Sequence, residues 1–140
     1  MTAKTASVHA SVARHSRGMA SALARSLRSR LTPRHKVWLN WDGVFLMCPR
    51  SLHFLAAVET AGSIRAAGEA VGWSYRTCLN RLRQMERVLG RRMLATTRGG
   101  PVGGGARLTL EAHELVGMFT RWQREVDRLT QLAFRRMVKR

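Results

Sequence analysis

Acidic side chains are scarce in this chain of 140 residues. Eight Asp and Glu stand against 25 Lys and Arg, which leaves a formal net charge of +17 at pH 7. Most of the eight fall within helical surface patterns, and no carboxylate pair or Cys–His unit is visible, so we expect no catalytic residues and no enzyme. A positive field attracts polyanions. Nucleic acid is therefore the first expected partner, and an anionic membrane surface is the second.

Cysteine and long apolar runs are also in short supply. Cys48 and Cys78 stand thirty residues apart, neither belongs to a C-x-x-C pair, and the five histidines show no ligand spacing. This pattern predicts no metal site and no disulfide framework, and it fits a reducing compartment. No apolar run approaches the length of a membrane span.

Residues 1–35 form a block without any acidic residue, in which Ser, Ala and Thr accompany seven Lys and Arg. A segment of this composition cannot bury much apolar surface. We predict a mostly disordered basic arm, in which Ala20–Leu31 can become helical on a polyanion. An organelle transit peptide has the same composition, so that interpretation stays open, as does a mis-assigned start codon.

A small domain is predicted over residues 36–109. It opens with an Asp42-Gly43 pair between two apolar runs, a strong signal for a β-hairpin. We place its strands near residues 36–41 and 44–48.

Glycines punctuate three predicted helices after this hairpin. Pro49 suits the first turn of the first helix, and Ser63 and Ser74 are placed to cap the second and the third. Apolar side chains of the third helix recur at steps of four, three and four on one face: Cys78, Leu82, Met85 and Leu89. The glycines that end the three helices are Gly62, Gly72 and Gly90.

The second and third helices read SIRAAGEAVGWSYRTCLNRLRQMERVL over Ser63–Leu89. Two short helices that meet at a glycine turn, with small residues where they cross, are typical of a helix-turn-helix, whose last helix reads DNA. Arginine can pair with guanine, asparagine with adenine, and threonine can touch a thymine methyl, while arginines further along suit phosphates. The alternative is an ordinary solvated face. The predicted DNA contacts here are Ser74, Tyr75, Arg76, Thr77, Asn80, Arg83 and Arg87.

The stretch TRGGPVGGGARLT over Thr97–Thr109 has three candidate roles: a phosphate cradle, a linker or a wing. A P-loop would need a lysine and a hydroxyl after the glycines, and a dinucleotide fingerprint would need a third glycine that is missing. Strand candidates at Met93–Thr97 and Ala106–Thr109 favour a wing. Its glycines let the tip approach the sugar-phosphate backbone or a minor groove, with Arg98 and Arg107 as phosphate contacts.

Residues 110–140 predict one long helix, because Leu110–Val138 contains no proline. Its apolar side chains form a heptad seam that we expect to dimerise. The alternative is an amphipathic helix packed on its own core. The fold class is thus mainly α with small β-hairpins, a winged helix-turn-helix with a long C-terminal dimerisation helix. The seam consists of Leu115, Phe119, Trp122, Val126, Leu129 and Ala133.

The motifs AGSIRAAGEAVGWSYRTCLNRLRQME and TRGGPVGGGARLT together resemble the N-terminal DNA-binding domain of ModE-type molybdate-responsive regulators. That domain is related to the LysR-type winged helix-turn-helix, and ERVLG after the third helix leans toward the LysR type. The likeness covers about Pro33 to Leu132. It implies a cytoplasmic, nucleoid-associated bacterial transcription regulator that binds double-stranded DNA as a homodimer. The contacts it implies are Ser63, Ser74, Tyr75, Arg76, Thr77, Asn80, Arg98 and Arg107.

The chain also departs from both families. The residues up to Arg140 contain neither the β-domains that hold the oxyanion in ModE nor a LysR effector domain, so we expect no metal, oxyanion or other cofactor. Whether a separate sensor protein is a further partner stays open. Two other functions remain open: a nucleoid-type or accessory DNA binder with little sequence preference, driven by the basic arm, and a protein-interaction module.

Overall fold

A computed structural model describes residues 18–98 and 104–139. The described residues divide into two compact units: one lies within His35–Leu129, and residues 18–34 and 130–139 belong to the other. Helix α1 covers residues 18–30. The remaining elements are β1 (Leu39–Trp41), β2 (Val44–Met47), α2 (Pro49–Ala61), α3 (Ile64–Val71), α4 (Tyr75–Leu89), β3 (Leu94–Thr96), β4 (Ala106–Leu108) and α5 (Leu110–Val138).

Helix α1 lies where we predicted a mostly disordered arm with a helix-forming segment at Ala20–Leu31. Alanine, leucine and arginine have high helix propensity, and the Arg25 guanidinium donates a hydrogen bond to Ser21 Oγ at 2.6 Å. Residues 1–17, the rest of the predicted arm, lie outside the described residues.

The β1–β2 hairpin confirms the Asp42-Gly43 signal. Trp41 pairs with Val44 across the turn, and Asp42 and Gly43 both have positive φ angles, 48° and 79°. A two-residue turn of this kind matches the twist of the flanking strands. β1 is shorter than predicted, because its first residue already pairs with Met47, the last residue of β2.

The predicted starts and ends of α2, α3 and α4 are confirmed. The backbone N–H of Ala66 donates to the Ser63 hydroxyl at 3.3 Å, and that of Thr77 donates to the Ser74 hydroxyl at 3.1 Å. These side chains satisfy N–H groups that have no partner within the helix. The three C-cap glycines all adopt the left-handed conformation: Gly62, Gly72 and Gly90.

The core of the His35–Leu129 unit forms around α2, whose Phe54, Leu55 and Val58 side chains are fully buried. Helix α4 presents its predicted apolar face to this core: three of the four positions are buried, and Leu89 is half-buried. The wing adds four buried side chains, Met93, Leu94, Ala106 and Leu108.

Helix α5 begins after Thr109, whose hydroxyl accepts a hydrogen bond from the Ala112 N–H at 3.3 Å. Its first turns pack inward, and Leu115 and Phe119 are 9% and 0% exposed. The predicted dimerisation seam is therefore wrong at these two positions, which pack on the core of their own chain. The seam residues that remain at the surface are Trp122, Val126, Leu129 and Ala133.

Helices α3 and α4 pack closely at Gly68. A Cβ atom at this position would lie 2.5 Å from Cys78 Sγ and 3.0 Å from the Trp73 carbonyl oxygen. The distance to Cys78 Sγ is shorter than any Cβ contact in real proteins, and the distance to the carbonyl oxygen is tighter than most. Cys78 is fully buried, so its side chain has no room to move away. The same burial raises the pKa of the Cys78 thiol.

We expect Gly68→Ala to lower the free energy of unfolding by about 1–3 kcal/mol, because overpacking a tight core contact forces backbone shifts. Gly117→Ala in α5 is the matched control, since its Cβ would meet only the end of the Arg121 side chain at 3.4 Å. That control should gain about 0.5–1 kcal/mol from helix propensity. Urea unfolding followed by circular dichroism measures both variants. A Gly68→Ala protein as stable as the control would show that the contact is loose.

Candidate nucleic-acid interface

Helix α4 carries an exposed polar stripe on the side away from the core. The stripe is offset by two residues from the buried face that starts at Cys78, and two residues turn an α-helix by about 200°. The structure thus brings four of the predicted DNA contacts to one solvent-facing surface: Arg76, Asn80, Arg83 and Arg87. We call these four residues the α4 stripe.

The first turn of α4 uses two other predicted contacts as structural groups. The Ser74 and Thr77 hydroxyls lie 2.9 Å apart, and the Thr77 backbone N–H also donates to Ser74 Oγ. Ser63 has the same capping role at the start of α3. These hydroxyls fix where each helix begins, and thereby the direction in which the α4 stripe points.

Tyr75 is 43% exposed at the start of α4, and its ring lies under the Arg65 guanidinium. The Arg65 Cζ atom is 4.9 Å from the ring centroid, a cation–π contact that joins α3 to α4. We did not predict a role for Arg65. The two residues stand on different helices, so helical periodicity could not pair them.

The wing is the antiparallel pair of β3 and β4. Arg107 pairs with Ala95 in the middle of the wing and is exposed, while Arg98 is exposed beyond the end of β3. At the base of the loop, the Thr97 N–H donates to the Gly105 carbonyl at 2.9 Å, and the Gly105 N–H donates to Thr97 Oγ1 at 3.0 Å. The glycine tip over residues 99–103 lies outside the described residues.

Two carboxylates and one carbonyl attach the wing to the helices. The Leu108 N–H donates to Glu59 Oε2 at 3.0 Å, the Met93 N–H donates to Glu86 Oε1 at 2.9 Å, and the Ala106 N–H donates to the Gly62 carbonyl at 2.9 Å. Charge-assisted hydrogen bonds of this type are stronger than neutral ones. Both carboxylates therefore have structural roles, which the sequence pattern did not reveal.

A cleft of about 310 Å³ lies between the start of α3, the start of α4 and the wing. We call it the wing cleft. Arg65 and Tyr75 line one side, and the wing supplies Thr96, Thr97 and the backbone of Gly105 on the other.

Arg50 of α2 holds the turn between α3 and α4. Its guanidinium donates to the Val71 carbonyl at 3.0 and 2.8 Å and to the Gly72 carbonyl at 3.1 Å. It also lies over the Trp73 ring at 5.5 Å, and that ring stacks against Phe54 at 5.3 Å. This role of Arg50 could not be predicted from the sequence, because a C-terminal cap supplied by another helix leaves no local signal.

Cys48 precedes α2 as its N-cap residue. Burial by itself raises the pKa of the thiol, but hydrogen bonds from the Ser51 and Arg50 backbone and the Ser51 hydroxyl, with the charge of Arg81, bring the pKa below its ordinary value. Both cysteines are free. Over residues 18–98 and 104–139, no group of three His, Cys, Asp or Glu side chains is placed to hold a metal ion. Within the same ranges, no helix has the length and apolar character needed to cross a membrane.

Three helices followed by a two-stranded antiparallel wing define a winged helix-turn-helix domain. Residues 49–113 match the model of the family described as bacterial regulatory helix-turn-helix protein, lysR family. This segment of the chain therefore resembles the LysR-type helix-turn-helix. The predicted fold class, mainly α with small β-hairpins, a winged helix-turn-helix and a long C-terminal helix, is confirmed.

Three known proteins can be compared with this chain. The molybdenum-pterin-binding protein MopB of Rhodobacter capsulatus is 35% identical over 65 residues, which cover 46% of this chain and 24% of MopB. The crystal structure of a CbnR_DBD–DNA complex has a TM-score of 0.51 at 23% identity, covering 67% of this chain and all of that one. A BenM_DBD/benA site 1 DNA complex has a TM-score of 0.49 at 21% identity, covering 64% and 94%. The ModE-like and LysR-like resemblance seen in the sequence is confirmed, while the chain spans about a quarter of MopB's length.

Proposed function

We propose that this protein is a transcriptional regulator that binds double-stranded DNA through the α4 stripe and the wing. The observation that carries the proposal is the α4 stripe itself: three arginines and one asparagine on the exposed face of the third helix of a LysR-like winged helix-turn-helix. A solved protein of the same fold, CbnR_DBD, is in complex with DNA. The net charge of +17 supports a polyanionic partner.

The residues of the α4 stripe are assigned to different DNA contacts according to their position along the helix. Arg76 and Asn80 lie in the N-terminal half of α4. The N-terminal residues of a recognition helix contact base edges in the major groove. We propose that they contact base edges, since arginine pairs with guanine and asparagine with adenine. Arg83 and Arg87, one and two turns further along, are assigned to phosphates, together with Arg98 and Arg107 of the wing.

We also propose a homodimer formed through α5. Met118, Trp122 and Leu129 leave 51%, 38% and 50% of their surface exposed on this helix. Met118 also lines an open groove of about 780 Å³, to which Trp41 and Leu89 contribute apolar surface. The ionisable residues that line the groove are Arg91, Glu111, His113, Glu114 and Arg121. Apolar side chains on a helix flanking such a groove suit an antiparallel helix from a second copy. Dimerisation would place two α4 helices on successive turns of DNA.

A second candidate function is a nucleoid-type DNA binder with little sequence preference. Helix α1 supports it, because residues 18–30 contain three arginines and no acidic side chain. Binding of this kind depends almost wholly on phosphate contacts, so it weakens steeply as salt increases.

Selection of genomic fragments by the purified protein at about 0.15 M salt separates the two functions, because non-specific phosphate binding is weak there. We expect a few enriched fragments that share an inverted repeat, since a symmetric dimer reads two half-sites. Recovery spread evenly across the genome would support the nucleoid-type function. Failure to retain any DNA would contradict both.

Arg76→Ala should weaken binding to a selected fragment by roughly 1–3 kcal/mol and relax the preference at one base pair, because a base-edge contact is lost. Arg83→Ala is the matched control: it removes the same charge from the same stripe, but should weaken all duplexes alike and lower the salt slope by about 1. Fluorescence anisotropy on matched and mutated duplexes measures both. A uniform loss for Arg76→Ala would assign it to phosphate.

Trp122→Glu should convert the dimer to monomers, because it places a charge in the apolar surface of α5. Light scattering after size exclusion measures the mass. Arg124→Glu, at an exposed position two residues away, introduces the same side chain with a larger change in charge and should stay dimeric. Thermal unfolding checks that the variant remains folded, since Trp122 also stacks on Phe119 at 5.5 Å. A Trp122→Glu protein of dimeric mass would exclude this surface as the interface.

A further inference from the structure

The wing cleft has one charged side chain among the residues that line it, the guanidinium of Arg65. Across residues 18–98 and 104–139, no carboxylate forms an ion pair with Arg65, whereas Arg92 and Arg128 are each paired with a glutamate. The other polar groups that line the cleft are hydroxyls and backbone. A cleft with a net positive charge and no acid in its lining suits a small anion.

Tyr75 restrains this arginine. The Arg65 Cζ atom lies 4.9 Å from the centroid of the Tyr75 ring, so the guanidinium stacks on the aromatic face. A long exposed side chain loses rotamer freedom when it binds, and this loss opposes binding. Stacking confines Arg65 beforehand, and the edge of the guanidinium still offers its N–H donors.

The opposite wall of the cleft is held at a fixed distance. The Ala106 N–H donates to the Gly62 carbonyl, which ties β4 to the residue just before the Ser63 cap. Three hydrogen bonds between Thr97 and Gly105 then close the base of the wing loop. Arg65 lies two residues after that cap, so these hydrogen bonds connect the segment that carries Arg65 to the backbone of the wing.

We propose that the wing cleft binds one phosphate of the DNA backbone, with Arg65 as its cation and Tyr75 as the positioning residue that holds Arg65 in place. The inference rests on the proposed function and refines it. In this assignment, Tyr75 acts through its ring on Arg65, and its hydroxyl makes no required contact with a base. The phosphate lies beside the first turn of α4, so it sets the depth at which Arg76 meets the base edges.

The test measures the affinity for a labelled duplex of mixed sequence, and for a genomic fragment from the selection, over a range of salt concentrations. Arg65→Ala should weaken both duplexes by roughly tenfold, the loss of a hydrogen-bonded charge. The slope of log affinity against log salt should fall in magnitude by about 0.9, one phosphate contact. Arg124→Ala, an exposed arginine of α5, is the matched control and should leave both duplexes nearly unchanged.

Substitutions of Tyr75 test whether its ring positions Arg65. Tyr75→Phe keeps the ring and should bind as the unaltered protein does, whereas Tyr75→Leu should weaken binding and lower the salt slope in the same direction as Arg65→Ala. The double variant Arg65→Ala/Tyr75→Leu should bind as Arg65→Ala alone does, because residues that act together are not additive. Both side chains are exposed, and circular dichroism confirms that each variant is folded.

The outcomes are distinguishable. If the unaltered protein binds neither duplex, the proposed function fails, and the phosphate site fails with it. If the unaltered protein binds DNA but Arg65→Ala has the same slope of log affinity against log salt as Arg124→Ala, only the phosphate site is overturned. If Tyr75→Phe binds as poorly as Tyr75→Leu, the tyrosine hydroxyl itself contacts DNA, and the positioning role is overturned.

Discussion

The close contact between α3 and α4 at Gly68 is the constraint on which the rest of this domain depends. Cys78 and the Trp73 carbonyl occupy the space that a side chain at residue 68 would need. Arg50 reinforces the contact from outside by binding the carbonyls of Val71 and Gly72. Together these interactions set the angle at which α4 leaves the turn. The α4 stripe faces solvent as one surface because the opposite side of the helix is locked into the core.

The wing is positioned by hydrogen bonds to the same helices. Glu59 and Glu86 accept from backbone N–H groups at the two strands of the wing, and Gly62 accepts from a third. Two of the eight acidic residues of the chain therefore hold the wing in position. The wing cleft follows from this bracing, since its walls are the wing and the helix starts that Ser63 and Ser74 cap. The hydrogen bonds that position the wing therefore also fix the walls of the wing cleft.

Helix α5 shows where a sequence pattern is ambiguous. Its apolar side chains follow one heptad spacing from Leu115 to Ala133, yet the structure divides them between two environments. Leu115 and Phe119 are buried in the core of their own chain, whereas Trp122 and Leu129 remain exposed. Period alone predicts that a face is buried, but it does not say whether the covering surface belongs to the same chain or to another.

Features that depend on near neighbours along the chain could be predicted from the sequence. The hairpin at Asp42-Gly43, the serine caps, the glycine ends and the polar face of α4 all follow from backbone preferences or helical period, which act over a few residues. The contacts between side chains of different helices and strands could not be predicted in this way. Arg50 reaches a turn 21 residues away, Glu59 binds a strand 49 residues away, and Arg65 stacks on Tyr75 of the next helix. Such contacts depend on helix crossing angles, and those are set by how side chains from distant parts of the chain pack together.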